Sequence, residues 1–232
     1  MEYNGFISTL IERSERLLMP GAHDDLDVTR YLLVMNTGFS LVRDRIRYWD
    51  DSDDRRVKMQ NPWKKVQKAC KSKLANPVTV DEEQFFEKFR TCNDWVYLRV
   101  LKEHQKGALS GHNVVSSLEN AEEIPIEDLK LDAVMWALRN SFAHGGILPM
   151  SPWQAGQRRC KSDPVRLGRA SEPSQIDRVY FVSNWTGDSI QDVRGWIVME
   201  FGLDALGAFW HDWRALLLAS GHQALDKLDR AA

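Results

Sequence analysis

The sequence predicts a mainly α-helical protein with a small β-hairpin near its carboxyl end and a final helix after it. Apolar residues recur at helical spacing in several stretches before residue 144, which indicates amphipathic helices. Two short runs rich in β-branched and aromatic residues, 178–183 and 196–201, flank a sequence typical of turns. Apolar and charged residues make up 43% and 28% of the chain, which are ordinary proportions for a globular protein.

Three helices are predicted in the first half of the chain. A short amphipathic helix over 3–18 ends before Pro20 and Gly21, and a longer helix follows over 26–49. The third helix is predicted over 81–106, because large apolar residues follow an acidic start that suits the positive end of the helix dipole.

The middle of the chain is predicted to contain a helical turn over 114–121 and then a helix that ends at His144. Gly145 and Gly146 stop this helix, since glycine adopts the positive φ that a helix end favours. Residues 145–177 hold glycines, prolines and basic residues without periodicity, so we expect a long loop there.

The carboxyl-terminal part is predicted to form the hairpin, with a turn over 186–189, and a helix over 203–220 that ends at Gly221. A chain of 232 residues can bury a sizeable core as one domain. We therefore expect a single domain over 1–232, made of a helical bundle (1–144), a basic loop (145–177), the hairpin (178–201) and the final helix (203–220).

Bulk properties indicate a cytoplasmic protein without a membrane span. The amino terminus has no basic region followed by an apolar run, and no apolar run approaches the roughly 18–20 residues that a span needs. The three cysteines are odd in number and widely spaced, which fits neither a disulfide framework nor a zinc site. No cofactor motif and no set of metal ligands is evident, and the net charge of −2 argues against a uniformly basic surface.

Two local stretches are strongly basic. No acidic residue occurs between Arg55 and Val80, where Lys64, Lys65 and Lys68 lie. Residues 158–169 form the second stretch, with Arg158, Arg159 and Lys161 among them. Each stretch is either a solvated surface or a strip that follows the phosphates of RNA, and both interpretations stay open.

The most informative segment is the end of the predicted helix at His144, where Arg139 and His144 are separated by four residues. On a helical wheel these two side chains and Asn140 lie opposite the apolar arc formed by Leu131, Val134, Met135, Leu138 and Phe142. Asp132 falls two turns before Arg139 and is placed to orient its guanidinium. An imidazole can move protons near neutral pH while a guanidinium holds a phosphate, so the pair suits cleavage of an RNA backbone.

A simpler interpretation is that the helix dipole favours basic residues near a carboxyl end, without any chemistry. Elsewhere, His211 and Asp212 are predicted to be a surface pair beside the packing residues Trp210 and Trp213.

The segment 137–145, Ala-Leu-Arg-Asn-Ser-Phe-Ala-His-Gly, resembles the signature of the HEPN superfamily, and especially of its small plasmid- and island-borne branch. That resemblance implies an antiparallel helical bundle that dimerises with two motif helices facing each other. It also implies metal-independent endoribonuclease activity, found in toxin–antitoxin and phage-defence systems. Arg139, His144 and Asn140 would be the catalytic residues. One branch carries a tyrosine two residues after the histidine, which its partner modifies with AMP, whereas this chain has Gly146 there.

The expected reaction is attack of a ribose 2′-hydroxyl on the adjacent phosphate, leaving a 2′,3′-cyclic phosphate without metal or cofactor. The expected partners are RNA, a second copy of the chain that completes a composite active site, and an antitoxin or other defence protein. The first alternative is a non-catalytic HEPN-like module that binds RNA or a nucleotide, or that serves as a partner subunit of a defence complex. The second is a helical interaction protein whose arginine and histidine only cap a helix.

Overall fold

A computed structural model describes residues 18, 27–41, 86–104, 118–150, 178–186 and 192–219 of the chain. Three short 3-10 turns lie at Lys102–His104, Leu118–Asn120 and Ile126–Asp128. In chain order the longer elements are α1 (Asp27–Val34, continued by a π-helix over Met35–Leu41), α2 (Glu87–Thr91), β1 (Trp95–Leu101), β2 (Glu122–Glu123), α3 (Leu131–His144), β3 (Ile147–Met150), β4 (Arg178–Thr186), β5 (Val193–Gly202) and α4 (Leu203–Ala219).

The described residues divide into two compact units. The first contains 27–41, 86–91, 130–132 and 207–219, and the second contains 92–104, 118–129, 133–150, 178–186 and 192–206. The expectation of a single domain over 1–232 stays a prediction.

Within the described ranges of the second unit, five strands form one antiparallel sheet in the order β2-β1-β5-β4-β3. The predicted mainly α-helical bundle is therefore wrong, and so is the all-α class that the HEPN resemblance implied. The two strands predicted as a small late hairpin do pair with each other, but they run longer and occupy the middle of the sheet.

The largest error concerns the helix predicted over 81–106. In its described part only Glu87–Thr91 is α-helical, Trp95–Leu101 is a strand, and Lys102–His104 is a 3-10 turn. Asn93 and Asp94, residues that favour turns, separate the two elements. The run from Trp95 to Leu101 is rich in aromatic and branched residues and is buried on both faces of the sheet. In such a run apolar and polar residues do not alternate as they do in a strand with one buried face. The spacing of the apolar residues could therefore be interpreted as helical.

The other predicted segments differ in smaller ways. Of the helix predicted over 26–49, residues 27–41 form α1 and its π-helical continuation, and 42–49 lie outside the described residues. The predicted turn over 114–121 contributes a 3-10 turn at Leu118–Asn120. The loop over 145–177 begins with β3, and 151–177 lie outside the described residues. The predicted ends of α3 at His144 and the predicted start of α4 at Leu203 are confirmed. The helix over 3–18 lies outside the described residues except for Leu18.

The sheet has two apolar faces. On one face a buried cluster is formed with Leu118 by Leu98, Val100, Tyr180, Val182, Trp196 and Val198. On the opposite face, paired residues of neighbouring strands include Tyr97, Met199 and Phe181. We call this second surface the α3 face, because the ring of Phe142 in α3 lies 5.5 Å from the ring of Phe181.

The first unit has a separate aromatic core. Phe209 of α4 lies 5.2 Å from Phe39 and 5.3 Å from Phe89 between ring centroids, in edge-to-face contacts. Trp213, fully buried, donates a hydrogen bond from its indole N–H to the carbonyl oxygen of Gly38 at 2.9 Å. These contacts hold α4 and the π-helical segment together.

Candidate functional site

The motif helix α3 buries the apolar arc that the helical wheel predicts. Leu131, Val134, Met135 and Leu138 are buried, and Phe142 packs against the sheet. In the last two turns of α3 Ser141 is buried as well, and Arg139, Asn140 and His144 keep part of their surface exposed.

Arg139 and Asn140 are half-buried and linked to each other in those last two turns. Nη1 of Arg139 donates a hydrogen bond to Oδ1 of Asn140 at 3.1 Å. The amide of Asn140 therefore holds the guanidinium of Arg139. His144, the last residue of α3, is exposed.

The end of α3 is set by two glycines with different roles. Gly145 adopts a left-handed φ of 68°, and the N–H of Gly146 donates to the carbonyl of Ser141 at 2.8 Å, which closes a Schellman motif. Gly146 also accepts a hydrogen bond from the N–H of Val182 in β4 at 2.7 Å. A Cβ at Gly146 would lie 2.0 Å from the carbonyl oxygen of Val182, so this position needs glycine.

This tight connection fixes which end of the sheet carries the motif. Since α3 reverses into β3 after only two residues, its carboxyl end lies beside the part of β4 that follows Phe181. Along β4, Ser183 and Trp185 share the face of Phe181, because side chains alternate between faces. We call this region, where β1 and β4 end and β5 begins, the motif end.

The motif end carries a second arginine. Arg99 of β1 and Ser183 of β4 both pair with Ile197 of β5, which puts all three on the α3 face. The guanidinium carbon of Arg99 lies 4.5 Å from the ring centroid of Trp185, a cation–π contact. Nη1 of Arg99 also lies 3.3 Å from Oε2 of Glu122.

Two buried polar atoms at the motif end have no hydrogen-bond partner in the described part of the chain. They are Oγ of Ser183, a residue 6% exposed, and Nε of Arg99. Buried polar groups are nearly always paired, so unfilled hydrogen-bonding capacity needs an explanation.

The structure does not test every predicted site residue. Asp132 lies exposed in the first turn of α3, and its support of Arg139 stays a prediction. The basic residues Lys64, Lys65, Lys68, Arg158, Arg159 and Lys161 lie outside the described residues.

In the first unit, the prediction that His211 and Asp212 form a surface pair is wrong for Asp212, which is buried. Its Oδ2 accepts the backbone N–H of Phe89 at 2.9 Å, and its Oδ1 lies 3.2 Å from Nδ1 of His211. Nε2 of His211 lies 3.1 Å from Nζ of Lys88. The prediction that Trp210 and Trp213 are packing residues is confirmed, since both are buried.

No protein-family model, no curated protein and no solved structure matches the chain. In the described residues no helix has the length and apolar character to cross a membrane. The same residues contain no cluster of three or more His, Cys, Asp or Glu that could hold a metal ion.

The arrangement offers one fixed cation, one exposed imidazole at a helix end, and a stacked arginine and tryptophan at the same end of the sheet. Sequence reasoning missed Arg99 because it placed this residue in a helix. It also missed Trp185, although the alternating run Val179, Phe181, Ser183, Trp185 was a signal that these residues share one face.

Proposed function

We propose that this chain is a metal-independent endoribonuclease whose chemistry takes place at the carboxyl end of α3. The observation that carries the proposal is the hydrogen bond from Arg139 to Asn140, which holds a permanent positive charge in the turn before the exposed His144. The HEPN-like motif supports the same assignment. Only the motif residues give this support. The fold does not, because the second unit contains a five-stranded sheet and not the helical bundle that the resemblance implied.

In the proposed reaction, His144 accepts the proton of a ribose 2′-hydroxyl as its oxygen attacks the adjacent phosphorus. A bond forms between O2′ and phosphorus, the bond from phosphorus to O5′ breaks, and the leaving oxygen takes up a proton. Arg139 stabilises the extra negative charge on the phosphate oxygens. The products end in a 2′,3′-cyclic phosphate and a 5′-hydroxyl, and DNA, which lacks the 2′-hydroxyl, is not cleaved.

Two proton transfers are needed, and one imidazole cannot easily make both in a single step. A homodimer in which each copy supplies one His144 to a composite site meets this need, and we include it in the proposal. A cytoplasmic toxin–antitoxin or phage-defence role, with a partner protein that restrains the activity, follows from the same resemblance.

The test is cleavage of a mixed RNA pool in the presence of EDTA, with the chemistry of the product ends determined. We expect the wild-type protein to leave cyclic phosphates. His144→Ala should cleave RNA at least about 100-fold more slowly than the wild-type protein. Arg139→Lys retains the charge but loses the planar guanidinium, so it should also be impaired. His211→Ala is the matched control, since it removes another exposed histidine, located in the first unit.

Equal cleavage by wild-type and His144→Ala would contradict the proposal. RNA binding by folded wild-type protein without any cleavage would instead support the alternative, a non-catalytic module that binds RNA or a nucleotide, or that acts as a subunit of a defence complex.

A further inference from the structure

The stack of Arg99 on Trp185 is built as a flat, fixed surface. The guanidinium lies over the indole at 4.5 Å, and Glu122 contacts it at 3.3 Å from β2. Gly195 of β5 pairs with Trp185, and a Cβ there would lie 2.0 Å from the backbone oxygen of Val100, so this position stays without a side chain. Both side chains are half-buried, which leaves part of each accessible.

The stack lies close to the motif on the same side of the sheet. Phe142, one half-turn before His144, contacts Phe181, and Trp185 follows Phe181 by four residues, about 13 Å along β4. Phe181, Ser183 and Trp185 all belong to the α3 face. A ligand that touches the end of α3 can therefore extend over the stack without crossing to the other face.

Its chemistry matches one part of an RNA chain. Unstacked bases of single-stranded RNA bind on aromatic rings and on guanidinium planes, whatever the base, because every base has a π-face. The Arg99 side chain is 33% exposed, so part of it can be reached by such a ligand.

We propose that Arg99 and Trp185 form a base-stacking subsite for single-stranded RNA, which holds a nucleotide flanking the phosphate cleaved at Arg139 and His144. This inference rests on the proposed ribonuclease function for the position of the scissile phosphate. Trp185 supplies the stacking surface, and Arg99 supplies both a second plane and a positive charge near the backbone.

Binding is measured in the His144→Ala background, so that the RNA stays intact, by fluorescence anisotropy of a short labelled RNA of mixed sequence and of the same RNA with abasic sites. We expect Trp185→Ala to raise the Kd for the intact RNA about tenfold, and Trp185→Phe to raise it much less because phenylalanine still stacks. On the abasic RNA, Trp185→Ala should have little effect, since no base is available to stack.

Arg99→Gln should weaken binding more than Arg194→Gln, which removes an equal charge from an exposed ion pair with Asp192 near the start of β5. Circular dichroism and thermal melting establish that each variant is folded. A Kd for Trp185→Ala equal to that of the parent, or a loss of equal size on intact and abasic RNA, would overturn the subsite. An effect of Arg99→Gln no larger than that of Arg194→Gln would overturn the role of Arg99.

Cleavage by the His144-containing protein is measured in parallel, which separates the two proposals. If RNA is cleaved but Trp185→Ala does not change the Kd, the subsite is overturned and the proposed ribonuclease function still stands. Base-dependent binding through Trp185 without cleavage supports the subsite and overturns the ribonuclease. Absence of RNA binding by the folded protein overturns both.

Discussion

At each end of the sheet β5 carries a glycine, and a side chain of β4 contacts Asp94, just before β1, at one end and Arg99 of β1 at the other. At one end, Gly202 lies between Asp94 and Arg178, and a Cβ there would lie 1.9 Å from Oδ2 of Asp94. At the motif end, Gly195 lies in the row where Arg99 reaches Trp185. The two glycines differ, however: Gly202 leaves room for the side chain of Asp94, whereas a Cβ at Gly195 would lie 2.0 Å from the backbone oxygen of Val100 in β1.

The two ends differ in how completely their polar groups are paired. Arg178 donates to Oδ1 of Asp94, its Nε lies 3.7 Å from Oε1 of Glu200, and its side chain is only 13% exposed. At the motif end, Arg99 is 33% exposed, and within the described ranges neither its Nε nor Oγ of Ser183 has a hydrogen-bond partner. At the first end, which we call the ion-pair end, the arginine is paired with two carboxylates and mostly buried, as in a structural contact. At the motif end the arginine is more exposed and less completely paired.

The largest expected effect concerns the backbone that positions the motif end. Gly146→Ala should lower the free energy of unfolding by about 3 kcal/mol, because its Cβ meets the backbone oxygen of Val182, which cannot move cheaply. Gly145→Ala is the matched control, and should cost only about 1 kcal/mol for the left-handed φ, since nothing lies within 4 Å of its Cβ. Urea denaturation measures both, and equal losses would show that Gly146 is not held against β4.

At the ion-pair end, Arg178→Met should cost about 2 kcal/mol of unfolding free energy, because Asp94 and Glu200 are left as neighbouring, largely buried carboxylates. Arg194→Met breaks an ion pair that is half exposed and should cost little. Thermal and urea unfolding measure the difference. Equal stability of the two variants would show that the ion pair between Arg178 and Asp94 does not stabilise the sheet more than an exposed pair does.

Ser183→Ala should leave stability unchanged or raise it by about 1 kcal/mol, because it removes a buried hydroxyl that has no hydrogen-bond partner among the described residues. Most substitutions of buried residues destabilise, so the direction is diagnostic. A clear loss of stability in urea unfolding would mean that the hydroxyl is satisfied in solution, and the contrast between the two ends would weaken.

The smallest effect is expected for Arg99→Gln, which should lower the free energy of unfolding by about 0.5 kcal/mol, the value of an accessible cation–π contact. The comparison that matters is with Arg178→Met. A cost as large as that of Arg178→Met would place the stack among the structural contacts of the sheet.

The sequence predicted α3 and its end correctly for a clear reason. Its apolar arc is amphipathic over several turns, and Gly145 and Gly146 mark a helix end by a local rule of backbone conformation. The candidate residues Arg139, Asn140 and His144 could be found because they lie within this one element. The hydrogen bond that fixes Arg139 on Asn140 could not be inferred, since it depends on side-chain conformations in the folded protein.

The sheet could not be predicted in the same way. A strand buried on both faces, such as β1, has the near-continuous apolar sequence of a buried helix segment, and only its partners distinguish the two. Arg99 and Trp185 are far apart in sequence and meet only because β1 and β4 flank β5. Asp212 was misplaced for a similar reason, because its partner Phe89 lies in another segment of the chain.

The two glycines of β5 have a consequence for how the protein can change. Gly195 and Gly202, and the two contacts beside them, are separated by roughly 23 Å along β5. Substitutions that are so far apart and share no contact have additive effects on stability. Arg99, Ser183 and Trp185, which lie at the proposed RNA subsite, can therefore be exchanged without disturbing the ion pair that secures the other end of the sheet.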